Sequence, residues 1–367
     1  MRILVVTPWF PTADSPVSGV FVRREVDALS SMHDVTVLHL DWQRSTPLAE
    51  ETSPDYRLLH ESLDRADPRA YLRARRIVAE AARDHDIVHT HSLTGLLPWL
   101  FGRPAGDRPW VHSEHWSGIS APETLSMGER AALAMLGPRL ASPGAVIAES
   151  SRLATAITRF RSDPIDLVPC VINPPAAIEP RGVDGIRLIG VGGVIPRKGP
   201  LLAVDALAEL VSRDVDATLT WVGEGPLSES MRAHASARGV LDRFRLTGRL
   251  DDDGVSRELN SANIFLLPTQ GDNFCVVTAE ALVHGRPIVS GAATGAVDYS
   301  APDVSRFVTT QTGRAYADAI QDLALATCGV GAERIAATVA ERFSPTTVCT
   351  ALTTIYDRLL ARRADSD

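Results

Sequence analysis

Three segments of this 367-residue chain combine residue types that could do chemistry. The first is Gly190-Val191-Gly192-Gly193-Val194-Ile195-Pro196-Arg197-Lys198-Gly199-Pro200. It follows an apolar run and opens a helical one, so its backbone N–H groups and the helix N-terminus form a ready anion site. It is not a dinucleotide fingerprint: Ile195 stands where a third glycine is needed, and no acid follows at a strand end about 20 residues on. The Walker spacing is absent too. Basic residues at the loop point instead to a diphosphate gripped by side chains, against the simpler reading of a glycine-rich turn with solvated charges. Of the 37 basic residues, 36 are Arg and Lys198 is the single Lys. A lone lysine in so arginine-rich a chain marks a place where a compact ammonium on a flexible stem is wanted.

The second segment runs Pro268-Thr269-Gln270-Gly271-Asp272-Asn273-Phe274-Cys275-Val276-Val277-Thr278-Ala279-Glu280. An apolar strand gives way to a polar loop and then to a helix whose first N–H groups lack intrahelical partners. Glu280 falls on the inner turn of a helix otherwise built from Val277, Ala279, Ala281, Leu282 and Val283, a costly place for an unpaired charge. A carboxylate there suits the paired hydroxyls of a ribose; the simpler reading is a capped helix with one exposed acid. The third segment is histidine-dense: His89 and His91, then His112, Glu114 and His115, all at the carboxyl ends of expected strands. Four histidines and a glutamate raise zinc, but no helical HExxH spacing and no nearby cysteine accompany them. No metal is expected. One histidine is expected to touch substrate, with the others satisfied locally.

The elements that must position these residues read as strand–helix alternation. Arg2–Thr7, Asp34–Leu40, Ile87–Thr90, Trp110–Ser113, Ala145–Glu149 and Ile165–Val168 are expected strands. Val22, Val26 and Leu29 mark one helix face, and Asp67–Ala82 and Gly128–Leu140 are further helices. Prolines 169, 174, 175 and 180 with Gly182 and Gly185 give Pro169–Gly185 the composition of a hinge. Alternation then restarts, with strands at Arg187–Val191, Ala217–Val222, Ile264–Leu267 and Pro287–Ser290. Helices are expected at Pro200–Ser212, Leu227–Ala237, Asp253–Ala262 and Val277–His284, and the tail Pro345–Ala364 is one long helix. The expected fold is α/β, two doubly wound halves facing across a cleft. The first domain is taken as 1–179, completed by the helix 346–367, and the second as 180–345.

Composition narrows the partners. Hydrophobic residues make up 45% and charged residues 22%, enough apolar material for two cores. The net charge of −8 is spread evenly, 18 Arg against 22 acids up to residue 180 and 19 cations against 23 acids after it. Neither half is a basic module, so nucleic acid is not expected. Arg69, Arg73 and Arg76 share a helix face, but Glu61, Asp64, Asp67, Glu80 and Asp84 interleave with them, and membrane contact is expected to be peripheral at most. The opening apolar run is too short for a signal peptide, and the four cysteines form no metal-ligand pair, which fits a cytoplasmic protein.

In order and interval, these residues resemble the retaining glycosyltransferases of family 4, glycosyl transferases group 1, with the GT-B fold. The matching pieces are Arg2–Val6 with Gly19 beyond it, Asp86–His91, Val111–His115, Gly192-x5-Lys198-Gly199, Val222–Pro226, Leu246–Arg249, Ala262–Pro268 and Ala279–Val289. The resemblance implies transfer of a sugar from a nucleotide-diphosphate sugar to an acceptor hydroxyl with the anomeric configuration retained, with no cofactor. It implies that Lys198 holds the donor diphosphate, that Gly19 lets it approach the N-terminal backbone, and that Glu280 binds the ribose. Asp272, Asn273, Phe274, Cys275 and Val276 would grip sugar hydroxyls and phosphates, Gly193 and Gly225 would line the donor site, and His115 would contact the transferred sugar. Two positions depart from the pattern: Asp272 replaces the first glutamate of the family's acidic pair, and Gly193 replaces its arginine, leaving Arg197 as the candidate second cation. The acceptor is open: a small molecule, a glycan or a lipid-linked one, with loops around Ser45–Asp55 and Ile119–Met127 shaping its pocket. A GT-B-like sugar-nucleotide epimerase, or a partner subunit that binds nucleotide sugar without transferring it, are the alternative readings.

Overall fold

The computed structural model describes residues 1–43, 55–182 and 184–365. In chain order the elements begin β1 (Arg2–Thr7), α1 (Val20–Ser30), β2 (Asp34–Asp41), β3 (Arg57–Ser62), α2 (Pro68–Ala81), β4 (Ile87–His91) and β5 (Trp110–Glu114). They continue α3 (Ser117–Ser120), α4 (Met127–Leu136), β6 (Ala145–Ala148), α5 (Ser151–Ile157) and β7 (Ile165–Leu167). After the proline-rich stretch come β8 (Ile186–Val191), α6 (Pro200–Ser212), β9 (Ala217–Val222), α7 (Ser228–Ala237), β10 (Phe244–Gly248), α8 (Asp252–Ser261) and β11 (Ile264–Leu267). The chain ends α9 (Val276–Val283), β12 (Ile288–Gly291), β13 (Ser305–Val308), α10 (Gly313–Ala326), α11 (Ala332–Ala336) and α12 (Pro345–Ala364).

Two compact units result, Met1–Val171 with Arg342–Asp367, and Ile172–Glu341. The breaks lie at 171/172 and 341/342, against the sequence expectation of 179/180 and 345/346. The first unit holds a seven-stranded sheet in the order β3-β2-β1-β4-β5-β6-β7, the second a six-stranded sheet in the order β10-β9-β8-β11-β12-β13. Every strand pair in both is parallel. In each unit the chain starts near the middle of the sheet, winds one way, and then crosses to wind the other. The reversal falls between β1 and β4 in the first unit and between β8 and β11 in the second. The loops leaving these strands diverge, and open α/β sheets bind ligands there.

Both faces of the first sheet are covered. Leu4, Val6, Val88 and Trp110 point to one core, while Ile3, Val5, Ile87 and Val111 point to the other, the alternation expected of strands. The second core is shared by Val22, Val26 and Leu29 of α1 with Val348, Leu352, Ile355, Tyr356 and Leu359 of α12. The tail helix thus completes the first unit. Ser344 caps it, accepting from the Thr347 N–H, and Pro345 is its first residue. No described helix is long and apolar enough to cross a membrane.

The strands not anticipated from sequence, β3, β10 and β13, are edge strands. Edge strands are partly solvated and lack the unbroken apolar runs of central parallel strands. In β3, Arg57-Leu-Leu-His-Glu-Ser62, no residue is fully buried. Helix α10 was not anticipated either. The stretch Ser45–Asp55 lies outside the described residues except for Asp55, and Ile119–Met127 runs from the end of α3 through one short turn at Pro122–Thr124 to the first residue of α4.

Candidate active site

In the second unit, the chemistry-bearing residues sit on the two loops that leave β8 and β11. After β8 the chain makes one tight turn, Pro196–Lys198, and enters α6 through Gly199 at φ 68°. A Cβ on Gly199 would lie 2.1 Å from the Pro268 carbonyl oxygen, so only glycine lets the loops close on each other here. They are stitched further by the Gln270 N–H donating to the Arg197 carbonyl at 2.8 Å and by Arg197 Nη1 donating to the Gly271 carbonyl at 2.5 Å. Lys198 Nζ donates to Asp272 Oδ2, which Arg197 Nη1 approaches to 3.5 Å. The other Asp272 oxygen accepts the Cys275 N–H at 3.1 Å. Burial alone would push the Asp272 carboxyl up, but Lys198, Arg197 and the Cys275 N–H outweigh it and hold it below the usual carboxylate range. Two cations and one carboxylate therefore meet at the start of α9.

The rest of the loop divides between structure and site. Phe274 and Cys275 turn their side chains into the core, each 2% exposed. Phe274 packs on Tyr299, and the Cys275 thiol lies 2.7 Å from the Thr278 hydroxyl, its pKa pushed by burial to about 11. Neither side chain reaches outward, so only backbone from these two residues is available to a ligand. Asn273 is buried as well. Val276 opens α9. Glu280 is half-buried rather than on the inner turn, because Val276, Val277, Glu280 and Val283 form the less covered stripe of the helix. It stands about one turn beyond the helix start, some 6 Å along the axis. Gly193 is exposed, with the nearest atom to a Cβ at 3.9 Å. Gly225 N–H and carbonyl both meet the Ser228 hydroxyl, and the residue lies against the Val194 backbone.

The left-handed conformation of the entry residue separates the helices after the reversal strands from the other described helices, of which α3, α7 and α11 also lack a side-chain cap. Helices α2, α4, α5, α8, α10 and α12 are capped by the side chains of Asp67, Ser126, Ser150, Asp251, Thr312 and Ser344. Helices α1, α6 and α9 instead open on Gly19, Gly199 and Cys275 in the left-handed conformation, with no side-chain cap. Their first N–H groups are left to meet something other than the chain's own side chain. Gly19, at φ 67°, also has no room for a Cβ, which would fall 2.3 Å from the Trp9 carbonyl oxygen.

In the first unit, strand alternation sorts the histidines. His112 faces the α2 side, bonded to Thr90 and Glu114, and is fully buried. His89, on the α1 and α12 side, is also fully buried, with its two ring nitrogens on the Tyr356 hydroxyl and the Ser113 hydroxyl, both at 2.8 Å. His91 Nδ1 meets His115 Nε2 at 3.1 Å. His115, just past β5, has 8% of its side chain exposed against 0–1% for His89 and His91, so it is the histidine of this face that reaches the surface. Sequence reasoning missed three partners: Glu149, whose Oε2 accepts from His115 Nδ1 at 2.9 Å; Cys170, 3.1 Å from the same oxygen; and Glu25 of α1, 3.4 Å from His91 Nε2. The signals were an acid ending the apolar run Ala145–Glu149 and another within the buried stripe of α1. Ligand atoms of Glu25, His89 and His91 lie within 4.8 Å of one another, the spread of a metal site. Both His89 nitrogens and His91 Nδ1 already have protein partners, which makes the cluster a hydrogen-bonded network.

Comparison with known proteins places the family and the fold. Residues 18–175 match the family model described as Glycosyltransferase Family 4, and residues 185–325 the model described as Glycosyl transferases group 1. A 2-deoxystreptamine glucosyltransferase of Streptomyces kanamyceticus is 26% identical over 58% of this chain and 61% of its own length. A D-inositol 3-phosphate glycosyltransferase of Segniliparus rotundus is 28% identical over 60% of this chain and 54% of its own length. The match to these two relatives thus spans less than two thirds of either. Among solved structures, a sucrose-phosphate synthase of Thermosynechococcus elongatus superposes with a TM-score of 0.79 at 20% identity, covering 98% of this chain and 99% of that one. HepE of Anabaena, solved with UDP and glucose, superposes with a TM-score of 0.73 at 16% identity over 97% of this chain and 99% of its own. This chain belongs to glycosyltransferase family 4, the glycosyl transferases group 1, and has the GT-B fold of two parallel-sheet α/β units.

Proposed function

We propose that this protein transfers a sugar from a nucleotide-diphosphate sugar to an acceptor hydroxyl with the anomeric configuration retained. The observation that carries the reading is the meeting of Lys198, Arg197 and Asp272 at the uncapped start of α9, where the second sheet reverses direction. A departing diphosphate needs its growing negative charge met by groups already in place. Lys198 and Arg197 supply two cations and the first amides of α9 supply dipoles. Asp272 holds both cations at the loop until the diphosphate takes its place beside them. In this reaction the bond from the anomeric carbon to the phosphate oxygen breaks, and the acceptor oxygen bonds to the same carbon from the same face. The acceptor proton passes to the leaving phosphate oxygen. No protein nucleophile, metal or cofactor is called for. Glu280 takes the ribose hydroxyls, the backbone beyond Gly19 borders the phosphates, and His115 contacts the transferred sugar.

UDP-glucose and GDP-mannose are the donors to test first, with D-inositol 3-phosphate and 2-deoxystreptamine, the compounds named for the two relatives above, as acceptors. Release of nucleoside diphosphate that requires an acceptor, with a product of unchanged anomeric proton coupling, is the expected result. Donor consumption without acceptor indicates an epimerase or hydrolase, and donor binding without turnover a binding partner. An inverted product overturns retention. Lys198→Ala is expected to lower kcat by at least ~100-fold, the scale of removing one transition-state charge donor; a rate near wild type removes the assigned role.

A further inference from the structure

A buried polar assembly in the first unit surrounds His115. Around the His115 ring, Glu149 accepts from Nδ1 at 2.9 Å on one side, and His91 Nδ1 meets Nε2 at 3.1 Å on the other. The two imidazoles are parallel to within 1°, and the Phe21 ring lies 4.7 Å from that of His115. The His115 backbone N–H donates to Glu114 Oε1 at 2.9 Å, tying its main chain to β5. Beyond His91, one Glu25 oxygen stands 3.4 Å from His91 Nε2 without a hydrogen-bond partner. A cavity with room for about one water molecule is lined by Glu25, His115, Glu149 and Cys170. Glu149, His115 and His91 thus form a hydrogen-bonded row from the end of β6 across β5 to β4, with Glu25 of α1 beyond its far end.

We propose that Glu149 is a positioning residue for His115: its carboxylate fixes the ring plane and keeps a proton on Nδ1, leaving Nε2 as the nitrogen that faces either His91 or a sugar hydroxyl. This rests on the reading that His115 contacts the transferred sugar. The logic is that of any imidazole whose working nitrogen is set by the hydrogen bond on the other. With the ring charged, Nδ1–H donates to Glu149 and Nε2–H to His91 Nδ1, whose own Nε2–H then points to Glu25. The charges facing the ring agree with it. Burial would lower the His115 pKa, but Glu149 foremost, then Glu25 after β1 and Glu114 of β5, raise it above the ordinary histidine value. Burial, with the neighbouring histidines, holds His91 and His89 far below that value. Glu25 is pushed by burial to about 7. His112 of β5, Cys349 and Tyr356 of α12, Cys170 and Arg24 also face the assembly.

The test follows the His115 ring in the full-length chain by histidine-selective nitrogen-15 labelling, its resonance assigned by loss in His115→Gln. In Glu149→Gln the midpoint of the His115 titration is expected to fall by at least about one pH unit, a tenfold change in proton affinity. With UDP-glucose, kcat is expected to fall at least about tenfold while KM for the donor changes less than about threefold. Glu149→Asp is expected to restore part of both. An unmoved midpoint overturns the proposal, whether or not the rate falls, since a purely structural glutamate would lower the rate and melting temperature without touching the titration. Transfer by His115→Ala at the wild-type rate defeats instead the reading of His115 as a sugar contact. The midpoint in Glu149→Gln still decides the coupling in that case.

Discussion

Lys198 is embedded, not waving in solvent: 15% of its side chain is exposed, and its ammonium is bonded to Asp272. At the residue scale this makes the pair a part-buried ion pair rather than a stray surface charge. Gly193 is the place where a further cation could be added. It is exposed, a Cβ there would make only ordinary contacts, and the loop carries Arg197 and Lys198 a few residues on. Gly193→Arg is therefore expected to fold as well as the parent, within about 0.5 kcal/mol by thermal unfolding. A new charge-assisted hydrogen bond to a phosphate should tighten donor binding about tenfold in calorimetric titration. Unchanged affinity would show that residue 193 faces away from the phosphates. At this scale the sequence was readable wherever one residue type carried the meaning. Lys198 stood out by being alone, and Gly19 by its place after β1. Glu149 did not stand out, because nothing near it in sequence names its partner His115, 34 residues away. Only the pairing of β5 with β6 brings them together.

Helices are the scale at which burial and charge trade off. Glu25 lies on the buried stripe of α1 with Val22, Val26 and Leu29, and burial raises its pKa to about 7. A carboxyl whose folded-state pKa is raised binds its proton more tightly when folded. Its contribution therefore favours folding at pH below about 4.5, the unfolded value, and declines as the pH rises towards 7. Glu25→Gln removes that dependence. The variant's melting temperature is expected to gain on the wild type as pH goes from 5 to 8; a constant difference would mean that Glu25 is not proton-linked to folding. Central strands were legible as elements because their residues are apolar without interruption, as in Ile264-Phe-Leu-Leu267. The edges β3, β10 and β13 were not, since a half-solvated strand shares its composition with a loop. The left-handed entries to α1, α6 and α9 were half legible: glycine announces two of them, while Cys275 gives no hint of its φ of 66°. A non-glycine residue held there is a strained choice of the kind that gathers at functional sites.

On the scale of the whole molecule, both sheets repeat one scheme: a reversal between the first strand and a later one. The first unit differs in being assembled from two stretches of chain. Leu352 of α12 is fully buried among residues of α1 and β1. Leu352→Ala is expected to lower the stability of that unit by about 2–5 kcal/mol, seen as faster hydrogen exchange of the β1 and β4 amides. Exchange at the wild-type rate would mean that α12 is peripheral to this core.

The Tyr356 hydroxyl that meets His89 comes from a position 267 residues further along the chain. During synthesis, then, the half of the protein that emerges first must wait until nearly everything else has been made before its histidine row is closed in. Until that late arrival the apolar flank of residues 20–30 lacks the part of its cover that α12 supplies, and a ribosome stalled before residue 345 would carry the second unit with all its strands and the first still unfinished.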